Sequence, residues 1–202
     1  MRILFVETEQ ADSFSPIALA RPVFELLCGT RSARQRILET LKPDAWGVIV
    51  RPHLEDIYRL EHPETHVNDP DWIAQGETIA VNGLWIAAPH QLQQLSSSNP
   101  LLTCQDQPVA KFLSQADSAK DQSHLLESII TAFSTGKQSA PSTESAGCVL
   151  QYPWDLIKQN GDTIRLDFDL LQYNKQSPAL PENIAQIVTS PQEQANIFID
   201  PQ

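Results

Sequence analysis

Glycine is scarce, with 7 residues in a chain of 202. Neither G-x-G-x-x-G nor G-x-x-x-x-G-K-[ST] occurs, so the common glycine-rich phosphate loops are excluded. The three cysteines, Cys28, Cys104 and Cys148, have no short spacing between them, which argues against a disulfide framework and a zinc cluster. No G-x-S-x-G is present to form a nucleophile elbow. No stretch approaches the roughly 18 consecutive apolar residues of a membrane span. The opening "MRILFVETEQ" turns acidic after an apolar run too short for a signal peptide. Positive charge is also short: 14 Lys and Arg against 25 Asp and Glu give a formal charge of -11. A surface of that sign repels phosphate polymers and anionic lipid. These absences lead to the expectation of a soluble cytoplasmic protein without nucleic-acid or membrane partners.

What is present suits one α/β domain. Hydrophobic residues make up 41% of the chain, and 15 prolines fix many turns. "RILFVE" (2–7) and "DAWGVIVRP" (44–52) read as buried strands. Between them, Ser32-Ala33-Arg34-Gln35 fits an S-x-x-Q capping box, which predicts a helix from Ser32 to just before Pro43. Residues 53–75 predict a short helix and then an acidic loop. "ETIAVNGLWIAAP" (77–89) predicts a strand broken at Asn82-Gly83, and 101–113 two short strands about Gln105-Asp106-Gln107. Leu125, Leu126, Ile129, Ile130 and Phe133 give an amphipathic helix within 121–136, and 137–147 a flexible loop. Pro153 starts a helical pattern through Trp154, Ile157, Ile164, Phe168 and Leu171, which Gly161 divides into two helices. Strands alternating with helices imply a largely parallel sheet.

Four constellations bear on chemistry. Arg21, Arg31, Arg34 and Arg36 lie within 16 positions of an acidic chain, either as a local anion site or as a solvated helix face. His62 and His66 have the spacing of helical metal ligands, but Pro63 between them favours a solvated acidic loop. Asn82-Gly83 at a strand end is either a ligand site or an ordinary turn. Trp154 reads as core, and Asp155 either as a cap for the helix it begins or as a charge that stabilises its dipole.

Together, "LARPVFELLCGTRSARQRI", "ETIAVNGLWI" and "YPWDLIKQNGDTIRLDF" resemble a divergent group of sugar nucleotidyltransferases. That group is similar to the N-terminal uridyltransferase half of bifunctional N-acetylglucosamine-1-phosphate uridyltransferase/glucosamine-1-phosphate acetyltransferase. The likeness spans most of residues 1–170 and rests chiefly on Arg21-Pro22 with Glu25 and Gly29, and on Tyr152 through Asn160.

The resemblance implies a Rossmann-like nucleotide-diphospho-sugar transferase sandwich with a mostly parallel sheet over 1–180. Residues 181–202 would form an extended tail opening a left-handed β-helix, through which copies could oligomerise. It implies transfer from a nucleoside triphosphate to a sugar 1-phosphate, with Mg²⁺, giving a nucleotide sugar and pyrophosphate. Arg21 takes the position of a catalytic phosphate-contacting lysine. Arg31, Arg34, Asn82 and Gly83 would bind substrate, and the metal ligands stay unassigned. Three positions depart from the pattern. "VETEQADSF" stands where a glycine-rich loop belongs, Asn82 where a metal-binding aspartate belongs, and Leu84 where an arginine belongs. A second reading therefore stands beside catalysis, namely a degenerate domain that binds ligand or serves assembly.

Overall fold

A computed structural model describes residues 1–86, 89–118, 124–134 and 142–174. The proposed 181–202 tail and the start of the 137–147 loop lie outside the described residues. The chain opens with β1 (Arg2–Val6), a tight hairpin of β2 (Leu27–Cys28) and β3 (Arg31–Ser32), then α1 (Ala33–Leu41) and β4 (Ala45–Ile49). It continues through α2 (Glu55–Glu61), β5 (His66–Val67), α3 (Pro70–Ala74), β6 (Thr78–Asn82) and β7 (Trp85–Ile86). The second half holds β8 (Leu101–Cys104), β9 (Gln107–Leu113), α4 (Gln115–Ser118) and α5 (Leu125–Ser134). It ends with β10 (Ser142–Glu144), β11 (Cys148–Val149) and α6 (Pro153–Asn174).

Seven strands form the central sheet in the order β10-β8-β9-β6-β1-β4-β5. β1 pairs in parallel with both β4 and β6, while β9 runs antiparallel to its neighbours β6 and β8. The apolar run of β1 explains its central place, since both of its faces are buried. Ile3 and Phe5 join Ile37 of α1 on one side, and Leu4 and Val6 meet Trp72 of α3 and Leu125 and Ile129 of α5 on the other. A third apolar cluster, with Phe14, Val23, Cys28, Leu84, Ile86 and Leu150, sits apart from these two. Among the described residues no helix is long and apolar enough to cross a membrane.

The capped helix is present as expected. Ser32 Oγ accepts the Gln35 amide at 3.2 Å and Gln35 Oε1 accepts the Ser32 amide at 3.0 Å. Other expectations fail for physical reasons. Residues 66–74 are not a loop: β5 pairs with β4, and Asp69 caps α3 by accepting the Trp72 amide at 2.9 Å. Part of the anticipated 137–147 loop is β10, paired in parallel with β8. α6 runs unbroken through Gly161, because Thr163 and Asp167 anchor the turns beyond it. Trp154 is not core: 52% of it is exposed, stacked on Tyr152 with ring centroids 4.7 Å apart.

Candidate active site

From β1 the chain crosses by α1 to β4 on one side of the sheet, and later returns to place β6 on the other. The carboxyl ends of β1 and β6 therefore flank a switch point, where open α/β sheets bind ligands. Two hollows open there, and Thr8 and Glu9 line both.

The first hollow, of about 460 Å³, is acidic, with Glu7, Glu9, Asp12 and Glu127 in its wall. Its cation, Arg51, is already engaged. Glu7 is 4% exposed and accepts both the Arg51 amide (3.0 Å) and Nε (3.1 Å) on Oε2. Glu7 Oε1 accepts Arg51 Nη2 (3.1 Å) and the Val23 amide (3.0 Å). Arg51 also donates to the Ala18 carbonyl. One carboxylate thus ties the end of β1 to the exit of β4 and to the loop before Val23. A forked, charge-assisted pair of this kind is among the stronger polar contacts a protein makes. It occupies the place where the resemblance puts a phosphate loop.

The second hollow, of about 380 Å³, is neutral and amide-rich. Gln10, Asn82, Gln107 and Gln151 line it beside Leu84 and Phe133. Gln10 Nε2 donates to the Gln151 carbonyl at 2.8 Å, and Gln151 Nε2 to Gln107 Oε1 at 3.1 Å. Asn82 ends β6, and its Oδ1 accepts the Leu84 amide at 3.0 Å in a local turn. Gly83 donates to the Val6 carbonyl at 2.9 Å. A Cβ there would stand 2.9 Å from Phe24 Cδ1 and 3.1 Å from the Val6 carbonyl oxygen, so this close approach requires glycine.

The arginines fare differently. Arg21 is exposed and lines a separate hollow of about 350 Å³ with Glu25, Gln35, Glu61 and His62; the structure does not gather it with Asn82. Arg31 pairs with Glu39 at 2.8 Å. Arg34 forks onto Glu25 and lies over the Trp46 ring at 5.0 Å. Tyr58 donates to the same Glu25 at 2.6 Å, and burial, then the Glu25 charge, pushes its phenol far up. Arg36, 1% exposed, binds Asp167 of α6, which is fully buried. That carboxylate also accepts the Thr30 amide at 2.8 Å and the Thr30 hydroxyl at 3.1 Å. The anion held by the Gly29-Thr30-Arg31 turn is therefore internal.

Burial, followed by the other two thiols, raises Cys148 to about 11, and burial also raises Cys28 and Cys104. At neutral pH these stay protonated and are poor nucleophiles. Among the described residues no group of three His, Cys, Asp or Glu could hold a metal ion. His66 instead stacks on Trp72 with centroids 4.7 Å apart. Sequence reading missed Gln10, Gln107 and Gln151 beside Asn82, and the Arg51 clamp. The signal for Arg51 was its place directly after a strand in a chain poor in cations.

The sheet, with hollows at its switch point, defines an α/β domain with a mostly parallel central sheet. The sequence model of the sugar nucleotidyl transferase family matches residues 3–176, and the chain belongs to that family. No curated protein matches the sequence. Among solved structures, the chain is similar to a Bacillus anthracis protein assigned as a glucose-1-phosphate thymidylyltransferase and crystallised with sucrose. That likeness has 8% identity and a TM-score of 0.49, over 81% of this chain and 95% of the other. A homologue of Mycobacterium tuberculosis rv0371c from Mycobacterium sp. strain JC1 is similar at 10% identity and a TM-score of 0.51. It covers 82% of this chain and 97% of that one, and supports the fold.

Proposed function

We propose that the domain transfers a nucleotidyl group from a nucleoside triphosphate to a sugar 1-phosphate, with the hollow between β1 and β6 as its substrate site. One observation carries this reading: the amide-lined hollow lies at the switch point of a sheet whose chain belongs to the sugar nucleotidyl transferase family. Planar amides such as Gln107 and Gln151 suit the hydroxyls of a sugar or the edge of a base, and Phe133 with Leu84 offers an apolar flank.

In this reaction a sugar phosphate oxygen attacks the α-phosphorus, the α–β bridging bond breaks, and pyrophosphate departs. The protein supplies positioning and positive charge rather than a covalent intermediate. Arg21 is exposed in the separate hollow beside Glu25 and His62, so it would meet only a phosphate that extends beyond the amide-lined hollow, and Arg31 and Arg34 would first have to leave Glu39 and Glu25. Asn82 does not fit a Mg²⁺ ligand as it stands, because its Oδ1 accepts the Leu84 amide and carries no charge. Mg²⁺ would arrive with the substrate phosphates and offset their charge, since among the described residues no set of three His, Cys, Asp or Glu could hold it. The uridyltransferase-type likeness makes UTP the first triphosphate to try.

A second reading, a domain that binds sugar or nucleotide without catalysis, is favoured by the Glu7–Arg51 clamp, which fills the expected phosphate position with an internal ion pair. A thermal-shift titration with UTP, other triphosphates and sugar 1-phosphates, with and without Mg²⁺, separates the two. At 100 times Kd a ligand stabilises by about 2.7 kcal/mol, which moves the melting midpoint by several degrees. A Mg²⁺-dependent shift with one triphosphate, together with pyrophosphate release once a sugar 1-phosphate is added, supports transfer, and the same shift without release supports the second reading. A shift with sugars alone supports the second reading, and no shift with any of them overturns both.

A further inference from the structure

Two side chains around the amide-lined hollow carry polar atoms with nothing to bind. Thr8 leaves β1 at the N-cap position of the 3₁₀ turn Glu9–Phe14, yet its hydroxyl does not cap that turn. Among the described residues no other group bonds Thr8 Oγ1, although Thr8 is only 6% exposed. Asn82, also 6% exposed, spends Oδ1 on the Leu84 amide and has no acceptor for Nδ2. Neither atom is sealed in. Among the described residues, the side-chain polar atoms that are both enclosed and unpaired are Trp85 Nε1 and Ser118 Oγ. The open atoms of Thr8 and Asn82 therefore face the hollow that both residues line.

The amides beside them extend the pattern. Gln151 Nε2 donates to Gln107 Oε1, which leaves Gln107 Nε2 as a donor and Gln151 Oε1 as an acceptor. Gln10 Nε2 is spent on the Gln151 carbonyl and on Ser13, leaving Gln10 Oε1 to accept. Glu9, on the exposed rim, can only accept. Donors and acceptors are thus mixed around the hollow. They come from the exit of β1, the end of β6, the start of β9 and the segment after β11. A hydroxyl donates and accepts at once, so a ring bearing several hydroxyls matches this mixture. A nucleobase presents its polar atoms in one plane only. Phe133 and Leu84 give ring C–H groups an apolar wall. Phosphate does not match, because the wall has no cation and its one charge is Glu9.

We propose that this hollow seats the ring of a neutral hexopyranose, with Thr8 and Asn82 as specificity-determining donors to its hydroxyls. Glu9 accepts from the ring and rejects one that bears a carboxylate. The 1-phosphate of the sugar then stays outside the hollow, away from Glu9. This inference rests on the proposed reading of the hollow as a substrate site. It adds which part of the substrate lies there and which sugars are admitted, neutral hexoses and not uronic acids.

Isothermal titration of the 202-residue chain with glucose, galactose, mannose, N-acetylglucosamine, glucuronate and uridine tests it. At least one neutral hexose should bind, and uridine should not displace it. Thr8→Val, close in shape, should weaken that hexose by about three- to tenfold, the worth of one neutral hydrogen bond. Asn82→Asp keeps an oxygen for the Leu84 amide and turns the free donor into an acceptor, so its loss should be at least as large. Glu9→Gln, on the rim, should narrow the gap between hexose and glucuronate. Sugar affinity unchanged in both T8V and N82D would overturn the proposal. So would displacement of the hexose by uridine, or a glucuronate gap untouched by E9Q. If no free hexose binds while pyrophosphate is still released from UTP and a sugar 1-phosphate, the inference fails and the proposed reaction stands. If no ligand binds at all, both fail.

Discussion

Gly29 shows how a residue can suggest one chemistry and perform another. It stands at φ +80°, and a Cβ there would lie 2.5 Å from Asp167 Oδ2 and 2.8 Å from Thr163 Cγ2, so this turn requires glycine twice over. Its amide donates to Asn160 Oδ1 at 2.8 Å, and the next amide to Asp167. Glycine, threonine and arginine together do hold an anion, and that anion is a side chain 137 residues further on. No local pattern connects positions so distant, and the sequence therefore reads equally as a phosphate loop. Removing the carboxylate should be severe. Asp167→Ala leaves the Arg36 guanidinium buried without its countercharge, a change that costs about 3–5 kcal/mol. Natural domains hold roughly 5–15 kcal/mol in all. Urea unfolding monitored by circular dichroism should show a large fall in midpoint with little change in slope. A loss below about 1 kcal/mol would mean that the pair is not buried as described.

At the scale of elements, the sequence was legible wherever a pattern fixes both period and direction. The short apolar run of β1, bounded by polar residues, suited a buried strand, and the Ser32–Gln35 box set the start of α1. α6 was legible in period but not in orientation. Its apolar residues recur at helical spacing, and nothing local states that Thr163 and Asp167 have partners in Cys28, Thr30 and Arg36 that turn the opposite face inward. The role of Asp155 was legible, because caps act locally. Asp155 Oδ2 accepts the amides of Gln151 and Tyr152, each at 3.0 Å. Partial burial opposes its charge, but those amides and the Lys158 ammonium outweigh burial and hold the carboxyl below its ordinary range. The contribution to stability is therefore complete above about pH 4, the ordinary carboxyl value, and is lost as pH falls through the lower folded value. Asp155→Ala should cost about 1 kcal/mol at neutral pH. The gap between wild type and variant should close on acidification, as followed by denaturant titrations at stepped pH. A gap constant down to pH 2 would show that the charge is immaterial to the cap.

For the whole molecule the governing facts are a net charge of -11 and a clamp at the mouth of the sheet. The proposed function puts phosphate at the carboxyl ends of β1 and β6, yet Glu7 would confront it there and holds the cation that lines the first hollow. The overall charge was plain in the sequence. That Glu7 and Arg51 neutralise each other was not, because 44 residues and the α1 crossover separate them. The clamp makes a prediction with opposite signs for stability and binding. Glu7→Gln removes the negative charge and keeps an oxygen for only one of the Val23 and Arg51 amides, turning an NH2 group toward the other. It should lower stability by about 1–3 kcal/mol, the cost of leaving buried polar groups poorly matched. The Arg51 guanidinium, left with only the exposed Asp12 at 3.7 Å as countercharge beside the first hollow, should attract anions, most strongly at low ionic strength. Isothermal titration of the variant with UTP or inorganic tripolyphosphate should therefore show tighter binding than the parent, and the difference should fade as salt rises. Stability lost without any gain in anion affinity would mean that phosphates do not approach β1 and β4 at all. The ligand would then be sought among neutral sugars in the amide-lined hollow beside it.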